Sequence, residues 1–439
     1  MRLLHRLSPP RRSRDWSWAT GIAAALLALL AAGPQVVGAQ APEGGGGIRL
    51  MSGNTGLAIG HIPAVNGLRL NASDRFLDEV NGVNVTVWRP SGPVGGKVRG
   101  LALGLAPTQG RLAGAGVGLT TVRSDDRGLD GVYAAGLAVI SDGSIRGVGA
   151  SGLANLAGAD LRGAGVAGLA IVSGQAMEGV QGAGLVLIAN GSMRGAQAAG
   201  LGVLVNGGIE GIQGASLAIV AGGDIAGIQG AGLAVISDGH LRGVQGGGLA
   251  LIGDEGMKGL HFGGLGIISN GRLRGIQIAG LAVVSGGAHD GIQLGGLAVI
   301  SDDSMRGVQS AGLAIVSGRD LQGIQLAGVA VDTRGAMRGI QAAAGIVSAR
   351  GSVTGLTVAG YRVRAPELRG LNAALAYTDV GRITGVSISS VHLLEVSMGL
   401  TVGLVNWADE LRGVQVGLLN RAGNNPPPFR ILPLVNASF

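Results

Sequence analysis

Cysteine is absent from the chain. Disulfide frameworks, thiolate metal sites and a lipid anchor on cysteine are thereby excluded. Aromatic residues make up 3% of the chain, with three Tyr and four each of Trp and Phe. That is too few for the aromatic girdles of a membrane barrel. Charge of one sign is also scarce. The formal net charge is +7, but residues 1–39 carry five Arg against one Asp, which leaves about +3 on the remainder. Such a balance is too weak for a nucleic-acid footprint, and no nucleic-acid partner is expected. After residue 40 every apolar run is broken by glycine or polar residues before it reaches the length of a spanning helix.

Glycine is what the chain has in excess, 87 of its 439 residues. There is no Gly-X-Y period, so the excess is not collagenous. Instead, glycine recurs at every sixteenth position from Gly131 to Gly355, fifteen times in succession without a miss. A fixed period over that span means one supersecondary unit stacked on copies of itself. Residues 1–39 stand apart. Arg2, Arg6, Arg11, Arg12 and Arg14 precede the apolar stretch Ala19 to Ala32, and small residues follow at Val37-Gly38-Ala39. This reads as a secretory signal peptide cut after Ala39. Residues 42–47 then read as a flexible linker.

Each copy can be numbered from its Leu/Met position, so that Leu241 is position 1. Position 1 is Leu, Met, Ile or Val in every copy except one, where His289 intrudes. Position 2 carries either sign of charge or none, from Arg146 to Thr354, and must face water. The invariant glycine is position 3, and position 4 is always apolar. Position 5 is Gln at Gln181, Gln197, Gln213, Gln229, Gln245, Gln277, Gln293, Gln309, Gln325 and Gln341, with His261 replacing it once. A small residue and a glycine lead to a Leu at position 9. Two β-branched or Leu residues follow, and then turn pairs such as Asn190-Gly191 and Asp238-Gly239. Short apolar runs bounded by Asn-Gly and Asp-Gly are strand and turn signals. Glycine at this density would cost a helix about 1 kcal/mol per residue.

Two all-β architectures fit. In a β-solenoid, each sixteen-residue coil holds two short strands, roughly 241–245 and 249–253 in the reference copy, stacked on the next coil at about 4.8 Å. In an up-and-down outer-membrane β-barrel, each copy would be one spanning strand. The solenoid is favoured. The copies show no even–odd alternation, the Leu/Met column lies beside the turn, and a Gln at one register is what a stacked amide ladder requires. The barrel alternative draws on Phe439, with Ala437 and Val435 at alternating positions before it. The expected organisation is a signal peptide at 1–39, irregular N-terminal β coils or cap at 40–128, the repeat array at 129–360, and irregular repeats with a Pro-rich cap at 361–439.

The stretch Leu411-Arg412-Gly413-Val414-Gln415-Val416-Gly417-Leu418-Leu419-Asn420 and the tail Leu432-Pro433-Leu434-Val435-Asn436 resemble the glycine-rich surface-repeat family first named for leptospiral surface proteins. Copies such as Gly275-Ile276-Gln277-Ile278-Ala279-Gly280-Leu281-Ala282 are similar to the repeats of Bacteroidetes relatives. The resemblance spans roughly residues 95–439. Most copies here have Ser or Ala where that family favours Asn after the second strand. It implies an exported, envelope-associated protein and carries no catalytic residue.

Candidate chemistry is sparse. His261 and His289 have no second His or carboxylate in their columns in adjacent copies, as a metal site would need. The turn acids Asp224, Asp238, Asp254, Asp302 and Asp303 lack the spacing of calcium-binding β-rolls and read as solvated turns. The Ser column, including Ser285 and Ser301, lacks accompanying His and Asp. No catalysis, cofactor or metal is expected. Arg242, Lys258 and Arg274 fall in consecutive copies, a stripe that reads first as a solvated face and second as a surface for anionic ligands. The expected function is a structural or interaction role at the bacterial cell envelope, presenting an elongated repetitive β surface. Expected partners are envelope polysaccharide, lipid headgroups or another surface protein.

Overall fold

The computed structural model describes residues 46–439 apart from Ser91 and Pro93. The signal-peptide reading and most of the linker reading lie outside the described residues. Gly47, assigned above to the linker, instead opens the strand Gly47–Ser52. Every regular element among the described residues is a β-strand. The chain divides into two compact units, one ending at Ala231 and the other beginning at Gly232, and each is a β-solenoid.

In the first unit the periodic copies contribute one longer and one shorter strand, as in Met177–Ala183 and Val186–Ala189. Met177 pairs in parallel with Met193, and Gln181 with Gln197. The stack extends N-terminally beyond the strict period. Gly67, Gly82, Gly100, Gly114 and Gly131 lie on one another in register, so the irregular region 40–128 consists of coils of unequal length. The antiparallel hairpin of Gly47–Ser52 with Thr55–Gly60 closes that end, covering a sheet edge that would otherwise pair with another chain.

The second unit repeats the pattern. His240–Gly247 and Ala250–Gly253 are the two strands of the reference copy, and Met305 pairs in parallel with Leu321 one coil on. Past Tyr361 the coils shorten. Gly355, Gly370, Gly385, Gly399 and Gly413 keep stacking, each coil there being one and then two positions shorter than in the array. The strand Ile431–Ser438 runs antiparallel to Val405–Ala422 and ends the stack. The up-and-down barrel is therefore excluded, because copies pair in parallel at a one-copy offset rather than antiparallel. Phe439, read as a barrel terminus, is fully exposed beyond the capping strand.

The invariant glycine has two causes. At Gly307, φ is +107°, a backbone state that L side chains rarely adopt. A Cβ there would also overlap the carbonyl oxygen of Gly291 in the coil before. Positions 1, 5, 7, 11 and 13 point inward: Met305, Gln309, Ala311, Ile315 and Ser317 are all buried. Small residues at positions 7 and 13 let the two strand layers approach over a thin core. Each buried Leu, Ile or Met contributes roughly 1.5–3 kcal/mol, and the column repeats it coil by coil.

Candidate functional site

The interior is partly polar, and the Gln column shows how that is tolerated. In the first unit Gln197 Nε2 donates to Gln181 Oε1 at 3.1 Å, Gln213 to Gln197 at 2.7 Å, and Gln229 to Gln213 at 2.8 Å. In the second unit Gln293 donates to Gln277 at 3.0 Å, Gln309 to Gln293 at 2.9 Å, Gln325 to Gln309 at 2.9 Å, and Gln341 to Gln325 at 3.3 Å. The other amide hydrogen goes to the position 2 carbonyl of the same coil, as in Gln197 to Arg194 and Gln245 to Arg242, at 2.7 and 2.8 Å. The positive φ of the intervening glycine turns that carbonyl inward. Burying an amide is costly unless it is bonded, and within each uninterrupted run of Gln the ladder supplies that bond from the neighbouring copy; where the run ends, Gln341 Oε1 is buried without a partner among the described residues. His261 continues the column with a 3.4 Å contact between Gln277 Nε2 and its Nδ1. Burial lowers its pKa to about 4. His289 sits between Leu273 and Met305 in position 1. Neither ring nitrogen has a partner among the described residues, and burial lowers its pKa to about 4 as well.

Two denser polar clusters lie inside the irregular ends, and sequence reading missed both. In the first unit the fully buried pair Arg69–Asp74 meets at 2.7 Å. Asn84 donates to Asp74 at 2.9 Å, Thr86 donates to it at 2.7 Å, and Arg69 Nε donates to the Ile62 carbonyl at 2.9 Å. Burial pushes the Arg69 pKa down, and the Asp74 charge opposes that shift. In the second unit Asn372 donates to Ser387, whose hydroxyl lies 2.9 Å from His392 Nε2. His392 Nδ1 lies 2.7 Å from Asn406 Oδ1, and Asn406 Nδ2 donates to Asn420 Oδ1 at 2.7 Å. Donors therefore point toward the C-terminal cap, with the His392 proton on Nδ1 and Nε2 accepting from Ser387. A Ser–His–Asn relay has the connectivity of a nucleophile and its base. Here Ser387, His392 and Asn406 are each wholly buried, so no substrate reaches the hydroxyl. Burial, opposed by the bond to Asn406, lowers the His392 pKa to about 4, which keeps the imidazole neutral and the relay intact. The signal in sequence was the recurrence of Thr378, His392, Asn406 and Asn420 at every fourteenth position.

The remaining sequence candidates lie at turns or on the outer surface. Ser301 and Ser317 are buried and donate to turn carbonyls of the previous coil, Gly287 at 2.8 Å and Asp303 at 2.7 Å. Asp254 and Asp302 are exposed turn residues. Arg242, Lys258 and Arg274 are in register on consecutive strands and exposed.

An outer apolar surface lies beside that stripe. On the long strand, positions 2, 4 and 6 all point outward. Position 4 is apolar yet exposed: Val148 by 55% and Ile212 by 57% in the first unit, Val244 by 37% and Ile340 by 40% in the second. The position 9 leucines, such as Leu201 and Leu297, are about 45% exposed as well. Comparison with family models, with curated proteins and with solved structures finds no match for this chain.

Proposed function

We propose that this is an exported, non-catalytic interaction protein of the bacterial cell envelope. Its working part is the outer surface, where each coil repeats the same outward side chains in register. The observation that supports this reading most is the division of chemistry between interior and exterior. The buried Gln amides bond one another along the stack, while the outer columns present apolar side chains coil after coil and, in the second unit, mainly basic ones. The resemblance of the repeats to the glycine-rich surface-repeat family, and the reading of residues 1–39 as a leader cut after Ala39, point the same way.

Fractionation of the producing cell tests it. The mature chain, beginning at Gln40, is expected in the envelope fraction, released by carbonate wash without detergent. A chain that stays in the cytoplasm with residues 1–39 attached would contradict the proposal.

A further inference from the structure

The two units differ in their outer columns, most plainly at position 2. In the first, position 2 mixes the two signs, and charges neutralise one another along the stack. Arg162 meets Glu178 at 3.4 Å, and Arg194 meets Glu210 at 3.4 Å. In the second, the same column reads Arg242, Lys258, Arg274, Asp290, Arg306, Gln322, Arg338, with one acid among five cations. Asp290 lies 3.8 Å from Arg274 and 3.8 Å from Arg272. Lys258, Arg306 and Arg338 have no ion-pair partner among the described residues. Arg242, Lys258 and Arg274 are like charges in register on neighbouring strands and repel, and such a run gains when an external anion bridges it.

Of the two columns beside the cations, position 4 is apolar throughout this unit and position 6 is apolar except at Gly246 and Ser310. Position 4 offers Leu260, Ile292 and Ile324, each 37–38% exposed. Position 6, small in most copies of the first unit, here includes Phe262, Ile278 and Leu326, exposed by 45%, 37% and 44%, alongside the small residues Gly246, Ser310 and Ala342. With strand residues about 6.8 Å apart per column and coils at about 4.8 Å, this apolar face covers on the order of 500 Å². That is as large as the largest apolar patch on a typical soluble monomer. An open apolar groove continues it at the coil corner, floored by Ala311, Gly312, Ala327 and Gly328.

We infer that this face of the second unit docks on a lipid surface bearing anionic headgroups, its apolar columns in the headgroup–acyl boundary and the position 2 cations on phosphates. An apolar face rimmed by Lys and Arg is the arrangement that holds a protein in a membrane interface. Charge complementarity selects this occupant: the rim is cationic, and the aromatic platform that a polysaccharide would stack on is reduced to Phe262. The inference specifies the partner class within the envelope role proposed above, yet it is read in vitro and stands or falls apart from cellular localisation.

The purified mature chain is mixed with vesicles of phosphatidylcholine alone or with 30% phosphatidylglycerol (about 0.1 M salt) and sedimented. Binding is expected only to the anionic vesicles and to weaken as salt rises. Each lost cation should lower partitioning roughly fivefold, so K258Q/R306Q/R338Q together should lower it about a hundredfold. Phe262→Ser with Leu326→Ser should reduce it at least tenfold. Circular dichroism spectra matching the parent confirm that the variants remain folded. No binding to anionic vesicles, or binding that neither variant changes, overturns the inference. Self-association abolished by the apolar substitutions, without lipid binding, also overturns it and assigns the face to a second copy.

Discussion

His289 is the one histidine in a column otherwise made of Leu, Met, Ile and Val, and replacing it tests how the core is built. Its side chain is wholly buried between Leu273 and Met305, and both ring nitrogens lack partners among the described residues. Leaving buried polar groups unsatisfied costs about 1–3 kcal/mol. Met already fills this position at Met257, Met305 and Met337. His289→Met should therefore stabilise the second unit by about 2 kcal/mol near pH 7, the middle of that range. A pH dependence should accompany it. Burial lowers the folded-state pKa from 6.5 to about 4, so between those values the unfolded chain binds a proton that the folded chain refuses. Stability is thus lost as pH falls below 6.5, at up to about 1.4 kcal/mol per unit, and the loss is complete near pH 4. The gap between variant and parent should widen from about 2 kcal/mol at pH 7.5 to about 4 kcal/mol at pH 5. His261 and His392 remain in both proteins and cancel in the comparison. Urea unfolding at pH 7.5, 6 and 5, with hydrogen exchange of the strand His289–Gly295 to place the change, measures it. A variant less stable than the parent, or a gap independent of pH, would refute the reasoning.

Three further substitutions probe other parts of the stack. Gln309→Ala strands the Gln293 oxygen and a Gln325 amide hydrogen that it now joins, and should destabilise the neighbouring coils by about 2–4 kcal/mol, seen as faster exchange of the Arg306 and Gln325 amides. Gly307→Ala forces a Cβ against the Gly291 carbonyl at a positive φ and should cost about 3–5 kcal/mol, read as a lowered urea midpoint. Asp74→Ala leaves the Arg69 guanidinium buried without its counter-charge. It should cost about 3–5 kcal/mol and open the N-terminal coils first, as limited proteolysis would register.

Much of the fold was legible because a solenoid writes itself repeatedly. The invariant glycine, the buried Leu/Met position and the Gln ladder each need one residue type at one register, and any copy predicts the rest. Legibility failed where coil length varied. Gly67, Gly82, Gly100 and Gly114 obey the same steric rule as Gly307, but their uneven spacing, from fourteen to eighteen positions, hides them from a search at a fixed period. The buried clusters around Arg69–Asp74 and Ser387–His392 escaped for a related reason: their members differ from coil to coil and come together only through stacking. The exposed position 4 was hidden differently. Val and Ile suggest burial, yet strand alternation outside an inward Gln at position 5 turns them to solvent. The basic column of the second unit was visible in Arg242, Lys258 and Arg274, but its apolar companions needed the structure.

The in-register stacking of copies can be tested by crosslinking, since a chain without cysteine gives a clean background. Arg306 and Gln322 face each other on adjacent strands, at about 4.8 Å, within the Cα separation of a disulfide. Arg306→Cys with Gln322→Cys should form an intramolecular disulfide on mild oxidation, whereas Arg306→Cys with Arg338→Cys, two coils apart, should not. Efficient closure of the second pair, or none of the first in a folded chain, would contradict the stack.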